Sequence, residues 1–159
     1  MILTGKKASH IINGEIQPHG IDIKVTNVYY LINKDINAKV TDDDYIPLEK
    51  FREDNKYYWE LCPQQAVLFE LEIVDLSKEN LDSPVVGFVL PKSRFLRRGI
   101  TINSALWDMG FKGKGKVLVV NHSERIQKIY EGMYFGQIIF LEGQKGDQIY
   151  AGTHQGEGL

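Results

Sequence analysis

The chain of 159 residues has one cysteine, no excess of positive charge and no apolar run near the roughly 18 residues that a membrane-spanning helix needs. A single cysteine, Cys62, excludes a disulfide within the chain and suits a reducing compartment. The first residues lack the basic-then-apolar order of a secretion signal, so we expect a cytoplasmic protein. The net charge of −2 argues against general nucleic-acid binding, which requires a basic surface.

Patterns of metal-binding residues are also scarce. His19, His122 and His154 are scattered without the spacing of a metal site, and Cys62 has no second cysteine beside it. We therefore expect no direct metal ligand from the protein.

Helical signals are confined to two short segments. Thr4 to Ile12 predicts a helix with Thr4 as its N-cap, and Ser93 to Arg98 predicts a single helical turn between strands.

Most of the chain consists of short runs of alternating or β-branched residues, separated by Gly, Pro, Asp and Asn. Such runs predict β-strands. The predicted strands cover residues 21–25, 28–32, 38–40, 57–61, 66–74, 85–90, 100–102, 116–120, 137–141 and 148–151. Residues 41–56 are predicted to form an exposed connection, and the glycine-rich residues 152–159 a mobile tail that either frays or closes over a ligand. We therefore predict an all-β sandwich or barrel in which residues 1–159 form one domain.

Residues 107–123 carry the most informative pattern. Asp108 enters a glycine-rich segment, and Gly110, Gly115 and Lys116 nearly match the phosphate-binding loop G-x-x-x-x-G-K. Val117 stands where that motif has Ser or Thr, and the following residues predict a buried strand instead of a helix. We therefore reject that loop. Two interpretations stay open: a site for a phosphorylated ligand, or a solvated turn.

Three other polar features allow both a functional and a structural interpretation. Asp22 lies between two isoleucines, so its carboxylate either serves a site or faces solvent. Residues 91–99 hold four cations and Ser93, which suit a polyphosphate but also an ordinary basic surface. Gln137 interrupts an apolar run, as a site residue or as a structural amide.

Taken in order, these segments resemble the deoxyuridine triphosphatase and dCTP deaminase superfamily, in particular the archaeal deaminase-like branch. The resemblance covers nearly the whole chain, and five motifs occur with sensible spacings. The motifs are at residues 17–23 (QPHGIDI), 92–99 (KSRFLRRG), 107–113 (WDMGFKG), 131–137 (EGMYFGQ) and 150–156 (YAGTHQG).

The resemblance implies a β-clip or distorted jelly-roll subunit and a homotrimer with active sites between subunits. It implies dUTP as the substrate, with Mg²⁺ carried in by the triphosphate. Asp108 is then the acid that activates water, Phe111 packs on deoxyribose, and Asp22 is an accessory acid. The other implied substrate contacts are Lys92, Ser93, Arg94, Arg97, Gln137 and the tail residue Gln155.

The uracil base needs its own readers. We expect the backbone groups along residues 100–105, including Ile102 and Asn103, to read its edge, since hydrogen bonds left unpaired discriminate strongly.

Departures from the family pattern bear on the reaction. Lys92 replaces an arginine, Arg94 stands where the family has Ser or Gly, and Thr153 and His154 replace a tail Lys and Tyr. The deaminase branch carries a Glu three residues before the strand-end Asn, and this chain has Leu118 there. The leading expectation is therefore dUTP hydrolysis to dUMP and pyrophosphate. The alternatives are a dCTP deaminase, alone or bifunctional, and a nucleotide-binding regulator without catalysis.

Overall fold

The computed structural model describes residues 1–144 and 149–159, and in these residues it is built mainly from β-strands. The predicted all-β class is confirmed. The helices are α1 (Gly5–Ala8) and α2 (Ser93–Leu96), with a 3-10 turn at Asp42–Asp44. The strands are β1 (Glu15–Ile16), β2 (Ile21–Lys24), β3 (Asn27–Tyr30), β4 (Phe51–Glu53), β5 (Lys56–Leu61), β6 (Ala66–Asp75), β7 (Val85–Pro91), β8 (Ile100–Asn103), β9 (Lys112–Asn121), β10 (Gln127–Tyr130) and β11 (Tyr134–Glu142). None of the described helices is long or apolar enough to cross a membrane.

The strands form two four-stranded sheets and one three-stranded sheet. Their orders are β1-β2-β11-β7, β3-β6-β9-β8 and β10-β5-β4, and the paired strands run antiparallel. The core includes apolar side chains from both four-stranded sheets. Phe69 on β6 meets Phe135 on β11 edge to face, with ring centroids 5.1 Å apart, and both rings are fully buried. This contact joins the two larger sheets through a geometry that aromatic quadrupoles favour.

Helix α1 is shorter than the predicted segment 4–12, whereas α2 is close to the predicted segment 93–98. Thr4 is the N-cap of α1, as predicted, and its hydroxyl accepts a hydrogen bond from the Lys7 amide at 3.4 Å. The helix ends at Ala8 because the next residues serve the core: Ile11 and Ile12 are buried, and the Ile11 carbonyl accepts from the Asp75 amide. Helix α2 begins at Ser93, as predicted.

Two predictions for residues 38–56 are wrong. Residues 38–40 form no strand, because this exposed segment has no apolar face to bury and is instead fixed by Lys34, which donates to the Lys39 carbonyl. Residues 41–56 are more than an exposed connection. They contain the 3-10 turn and β4, and Leu48 is buried. β4 is an exposed edge strand, so its residues do not need the alternation of apolar and polar side chains by which a strand is predicted.

Three short strands were not predicted. β1, β4 and β10 have two to four residues each and little apolar alternation. They form because longer neighbours, β2 and β5, offer partners. The predicted strand 148–151 lies partly outside the described residues, and residues 149–151 are not a strand.

Residues 112–116 form the first half of β9, so the solvated turn, one of the two interpretations left open for this segment, is wrong for these residues. The turn is confined to residues 108–111, where Gly110 adopts a φ of 92° and the Phe111 amide bonds the Asp108 carbonyl at 3.1 Å. Gly113 and Gly115 lie within β9. Their lack of a side chain has a packing reason, since an ideal Cβ on Gly115 would be 2.5 Å from the Trp107 ring.

We predict that Gly115→Ala destabilises the protein by about 1–3 kcal/mol, because the added methyl group must displace the Trp107 ring against a packed core. The measurement is denaturant unfolding. Gly143→Ala is the matched control, since an added Cβ there meets nothing within 4 Å. Equal stability of the two variants would contradict the packing explanation.

Candidate functional site

Asp22 is buried on β2, at 3% exposure, and is held by two side chains. Its Oδ2 accepts from Lys92 Nζ at 2.6 Å and from Gln17 Nε2 at 2.8 Å. Its Oδ1 is buried without a hydrogen-bond partner among the described residues. The structure thus excludes the alternative that Asp22 faces solvent. A buried carboxylate needs a paired cation, and Lys92 supplies it.

Gln137 on β11 lies opposite Asp22 in the sheet register and is half-buried. Its Nε2 donates to the His19 carbonyl in the loop between β1 and β2. Lys92 is brought to the same place because its amide bonds the Phe135 carbonyl at 2.9 Å. We call Gln17, Asp22, Lys92 and Gln137 the Asp22 group.

Helix α2 divides its basic residues between two directions. Ser93 and Arg97 lie one turn apart and face each other, with Arg97 Nη1 3.5 Å from Ser93 Oγ. Arg94 and Arg98 occupy the next face, where both line a shallow depression beside β10. Arg94 Nη2 donates to the Tyr134 carbonyl at 3.3 Å. The exposed Ser93–Arg97 pair and Arg94 thus have different hydrogen-bond partners.

Asp108 borders a cavity of about 340 Å³, which we call the Asp108 cavity. Asp108 itself is exposed, whereas Phe111 is 2% exposed and packs against Tyr150 with ring centroids 5.5 Å apart. The lining residues are Tyr45, Leu68, Ala105, Leu106, Trp107, Asp108, Phe111, Lys116, Tyr150, His154 and Glu157.

The tail, residues 152–159, lies against the first part of β9. Gln155 joins it to the Asp108 turn, since its Nε2 donates to the Gly110 carbonyl at 2.9 Å and its Oε1 accepts from the Lys112 amide at 3.0 Å. The side chain of Glu157 is largely buried. The mobility predicted from the glycine content stays a prediction, but the tail has defined contacts in this structure.

Two half-buried phenols, Tyr29 and Tyr45, face carboxylates near this cavity. Burial raises the pKa of Tyr29 to about 12, with Glu70 contributing next. Burial also raises the pKa of Tyr45, and the bond from its hydroxyl to Glu157, at 2.5 Å, adds to the effect. An ordinary phenol is already protonated near neutral pH, and the raised pKa extends this protonation into alkaline solution, where the Tyr45 hydroxyl still donates to Glu157.

The predicted site residues fall into two sets within one subunit. One set comprises the Asp22 group and α2, with Asp22, Lys92, Ser93, Arg94, Arg97 and Gln137. The other comprises Asp108, Phe111 and Gln155. No hydrogen bond or ion pair joins the two sets in the described part of the chain.

Ile102 and Asn103 belong to β8, the last strand of its sheet, and pair with Val119 and Leu118 of β9. The Ile102 side chain is buried, so only its backbone can meet a ligand. Being at the sheet edge, β8 has backbone groups that no strand of this sheet uses.

Sequence reasoning missed Tyr45, Lys116, Tyr150, His154 and Glu157 as lining residues. The alternation of lysine and glycine at residues 112–116 could have indicated that Lys116 has a special role. The residues that lie across the sheet from Lys116 cannot be predicted from the sequence. Tyr45 comes from the segment misread as a connection.

A family model described as "dCTP deaminase-like" matches residues 2–143. The chain belongs to the dCTP deaminase-like family. This confirms the resemblance drawn from the five motifs, and the match spans all the described strands.

Named relatives of this dCTP deaminase-like chain carry two descriptions. It is 32% identical over 149 residues to a "Probable deoxyuridine 5'-triphosphate nucleotidohydrolase" of Methanopyrus kandleri, covering 90% of this chain and 86% of that one. A protein of the same description from Aeropyrum pernix is 29% identical, with 100% and 96% covered. A "dCTP deaminase, dUMP-forming" of Persephonella marina is 27% identical, with 99% and 93% covered.

The fold of the dCTP deaminase-like chain also matches a solved structure, the 2'-deoxycytidine 5'-triphosphate deaminase from Agrobacterium tumefaciens. The TM-score is 0.63 at 16% identity, over 89% of this chain and 48% of that one. At this identity the match supports the fold alone.

Proposed function

We propose that this protein hydrolyses dUTP to dUMP and pyrophosphate. The observation that carries the proposal is an exposed carboxylate, Asp108, at the border of a cavity whose lining includes Phe111. Relatives that match most of the chain are described as probable dUTP nucleotidohydrolases. A cavity of about 340 Å³ is within the range of small-molecule sites.

Asp108 is the general base in this proposal. Its carboxylate accepts a proton as a water oxygen bonds to phosphorus, the α–β phosphoanhydride bond breaks, and pyrophosphate leaves. Phe111 lines the cavity in which the deoxyribose would bind, and its ring, 2% exposed, is held from behind by Tyr150. The turn at Gly110 fixes both residues relative to each other.

The triphosphate carries several negative charges, and the cations of α2 are suited to it. Arg97 and Ser93 present an exposed guanidinium and hydroxyl side by side. Arg94 and Lys92 add positive charge nearby, although Lys92 is engaged by Asp22. Gln137 bonds the loop that contains His19, and Asp22 pairs with Lys92. In this proposal both residues support the phosphate contacts without touching the triphosphate themselves.

Magnesium prefers oxygen ligands and keeps several of its waters. It would therefore enter the site bound to the triphosphate, and a set of ligands supplied only by the protein is not needed. The described residues include no group of three or more His, Cys, Asp and Glu side chains arranged to hold a metal ion. The exposed carboxylate of Asp108 supplies oxygens of the kind that Mg²⁺ prefers, so it suits a metal ion brought by the substrate. When bound, the ion neutralises charge on the phosphate oxygens.

The uracil base would be read at the edge of β8. Backbone donors and acceptors near Ile102 and Asn103 reject a base whose edge leaves them unpaired. The loop after β8 is itself fixed, because Ser104 Oγ accepts from the Val89 amide at 2.9 Å.

The first experiment incubates the protein with dUTP or dCTP and Mg²⁺ and measures pyrophosphate and ammonia separately. We predict pyrophosphate from dUTP and no ammonia from dCTP. Leu118 is partly exposed on the face of β9 that also carries Lys116, and it cannot transfer a proton. Glu70 lies opposite Lys116 on the neighbouring strand β6, and its carboxylate is held by Lys116 and Asn27.

Ammonia from dCTP at a rate comparable to pyrophosphate from dUTP would make the protein bifunctional and overturn this assignment. Nucleotide binding without either product would favour the regulator.

We predict that Asp108→Asn lowers pyrophosphate release by about 10²-fold or more, because an amide cannot accept the proton. Binding of a dUTP analogue with an imido group between the α- and β-phosphorus should stay largely intact. Asp82→Asn, an exposed acid between β6 and β7, is the matched control and should keep full activity. Near-normal turnover of Asp108→Asn would remove Asp108 from the mechanism.

We also propose a homotrimer with active sites between subunits, supported by the lack of any hydrogen bond or ion pair between the two residue sets in the described part of one subunit. The prediction is complementation: Asp108→Asn and Arg97→Ala subunits, each inactive alone, should regain about a quarter of wild-type activity when co-assembled, as random mixing gives for a two-subunit site. Light scattering gives the mass. An active monomer, or mixed assemblies without recovery, would contradict the shared site.

A further inference from the structure

Lys116 lies in a buried charged cluster that the proposed chemistry does not use. Its Nζ is 3.0 Å from Glu157 Oε1 and 3.4 Å from Glu70 Oε2, and the three side chains are only 6–8% exposed. Its ammonium also lies 4.1 Å from the centroid of the Tyr45 ring, which favours a cation at its face. One ammonium therefore serves two buried carboxylates.

The members of this cluster come from different parts of the chain. Lys116 and Glu70 are opposite each other on β9 and β6, so their pair is built into the sheet. Glu157 belongs to the tail. Burying its carboxylate is unfavourable unless a cation and donors compensate, and Lys116 and Tyr45 are the groups that do so. Lys116 is thus the nearest cation to the tail carboxylate, at 3.0 Å, and the imidazole of His154 lies 3.9 Å from the same oxygen.

The backbone of the tail also bonds to β9, close to the Lys116–Glu157 ion pair. The Lys114 amide donates to the Glu157 carbonyl at 2.7 Å, and the Gly156 amide donates to the Lys112 carbonyl at 2.9 Å. These bonds use the edge of β9 that β8 leaves free, because β8 pairs only with residues 118–121. Gly113 allows the approach, since a Cβ there would lie 3.0 Å from the Glu157 backbone.

The seated tail forms part of the Asp108 cavity. His154 and Glu157 line it from the tail side, and Asp108 and Trp107 line it from the turn before β9. Gln155, between them, bonds the Gly110 carbonyl at the base of that turn. A displaced tail would remove one wall of the cavity without altering Asp108.

We propose that Lys116 and Glu157 are positioning residues. Their ion pair seats the tail along β9 before nucleotide binds and so preassembles one wall of the site. The effect on catalysis rests on the proposed function, whereas the seating itself does not.

The test measures hydrogen exchange of the peptide that contains residues 152–159, in the full-length protein without ligand. Glu157→Gln keeps an acceptor for Tyr45 but removes the charge. We expect exchange of this peptide to accelerate about tenfold or more, as the loss of a charge-assisted contact allows. A peptide from β6 should be unchanged, which separates local opening from general destabilisation.

Kinetics give the second readout. With dUTP, Glu157→Gln should raise KM and leave kcat close to wild type, because the wall contributes to binding and not to proton transfer. Glu124→Gln removes an exposed carboxylate and is the matched control.

The double variant that exchanges the charges, Lys116→Glu with Glu157→Lys, keeps two carboxylates and one ammonium in the cluster. Hydrogen exchange of the tail should be slower in this double variant than in Lys116→Glu alone.

The outcomes separate the two proposals. Unchanged tail exchange in Glu157→Gln overturns the seating, whatever the activity of the protein. Faster exchange with unchanged KM overturns the positioning role. Faster exchange in a protein that releases no pyrophosphate from dUTP supports the seating and overturns the hydrolase.

Discussion

Strand β9 is the element on which the rest of this structure depends. It pairs with β6 along most of its length, with β8 over its second half and with the tail over its first residues. Because successive side chains of a strand point to opposite faces, Val117 and Val119 enter the core while Lys116 and Leu118 stay on the other face. One strand therefore connects the core, the cavity and the segment that covers it.

Charge burial links the fold to the candidate site at two places. Asp22 is compensated by Lys92, which stands at the start of the basic helix. Glu157 is compensated by Lys116, which stands in the middle of β9. In each case a buried acid is paired with a base from a distant part of the sequence. The Lys116 side chain is buried as well, whereas the Lys92 side chain is 34% exposed. Loss of the cation that pairs a buried carboxylate is costly.

The family contains both hydrolases and deaminases, and the fold does not distinguish them. The difference must come from side chains that reach the base. At the position where the resemblance expects a proton-transferring Glu, this chain has Leu118, next to Leu68 across the sheet. The surface beside the cavity is thus apolar there, and the two nearby buried carboxylates, Glu70 and Glu157, are both engaged by Lys116. This arrangement favours hydrolysis of the phosphate chain over chemistry on the base.

The sequence alone determined the all-β class, most of the longer strands, the N-cap at Thr4, and the exclusion of a phosphate-binding loop at residues 110–117. These rest on local rules: alternation, capping and the β-branched run after the glycines. The five motifs also identified the family. Local rules failed for β1, β4 and β10, which form only because longer strands give them partners.

Tertiary structure alone decided which residues meet. It buried Asp22 against Lys92, gave Arg94 and Arg97 different hydrogen-bond partners, and placed Lys116, Glu157 and Tyr45 together from three distant segments. It also showed why glycines occur in β9, since Gly113 and Gly115 face the Glu157 backbone and the Trp107 ring. A sequence read along its length shows the alternation of one strand, but not which partner lies across the sheet, because strand pairing is a long-range contact.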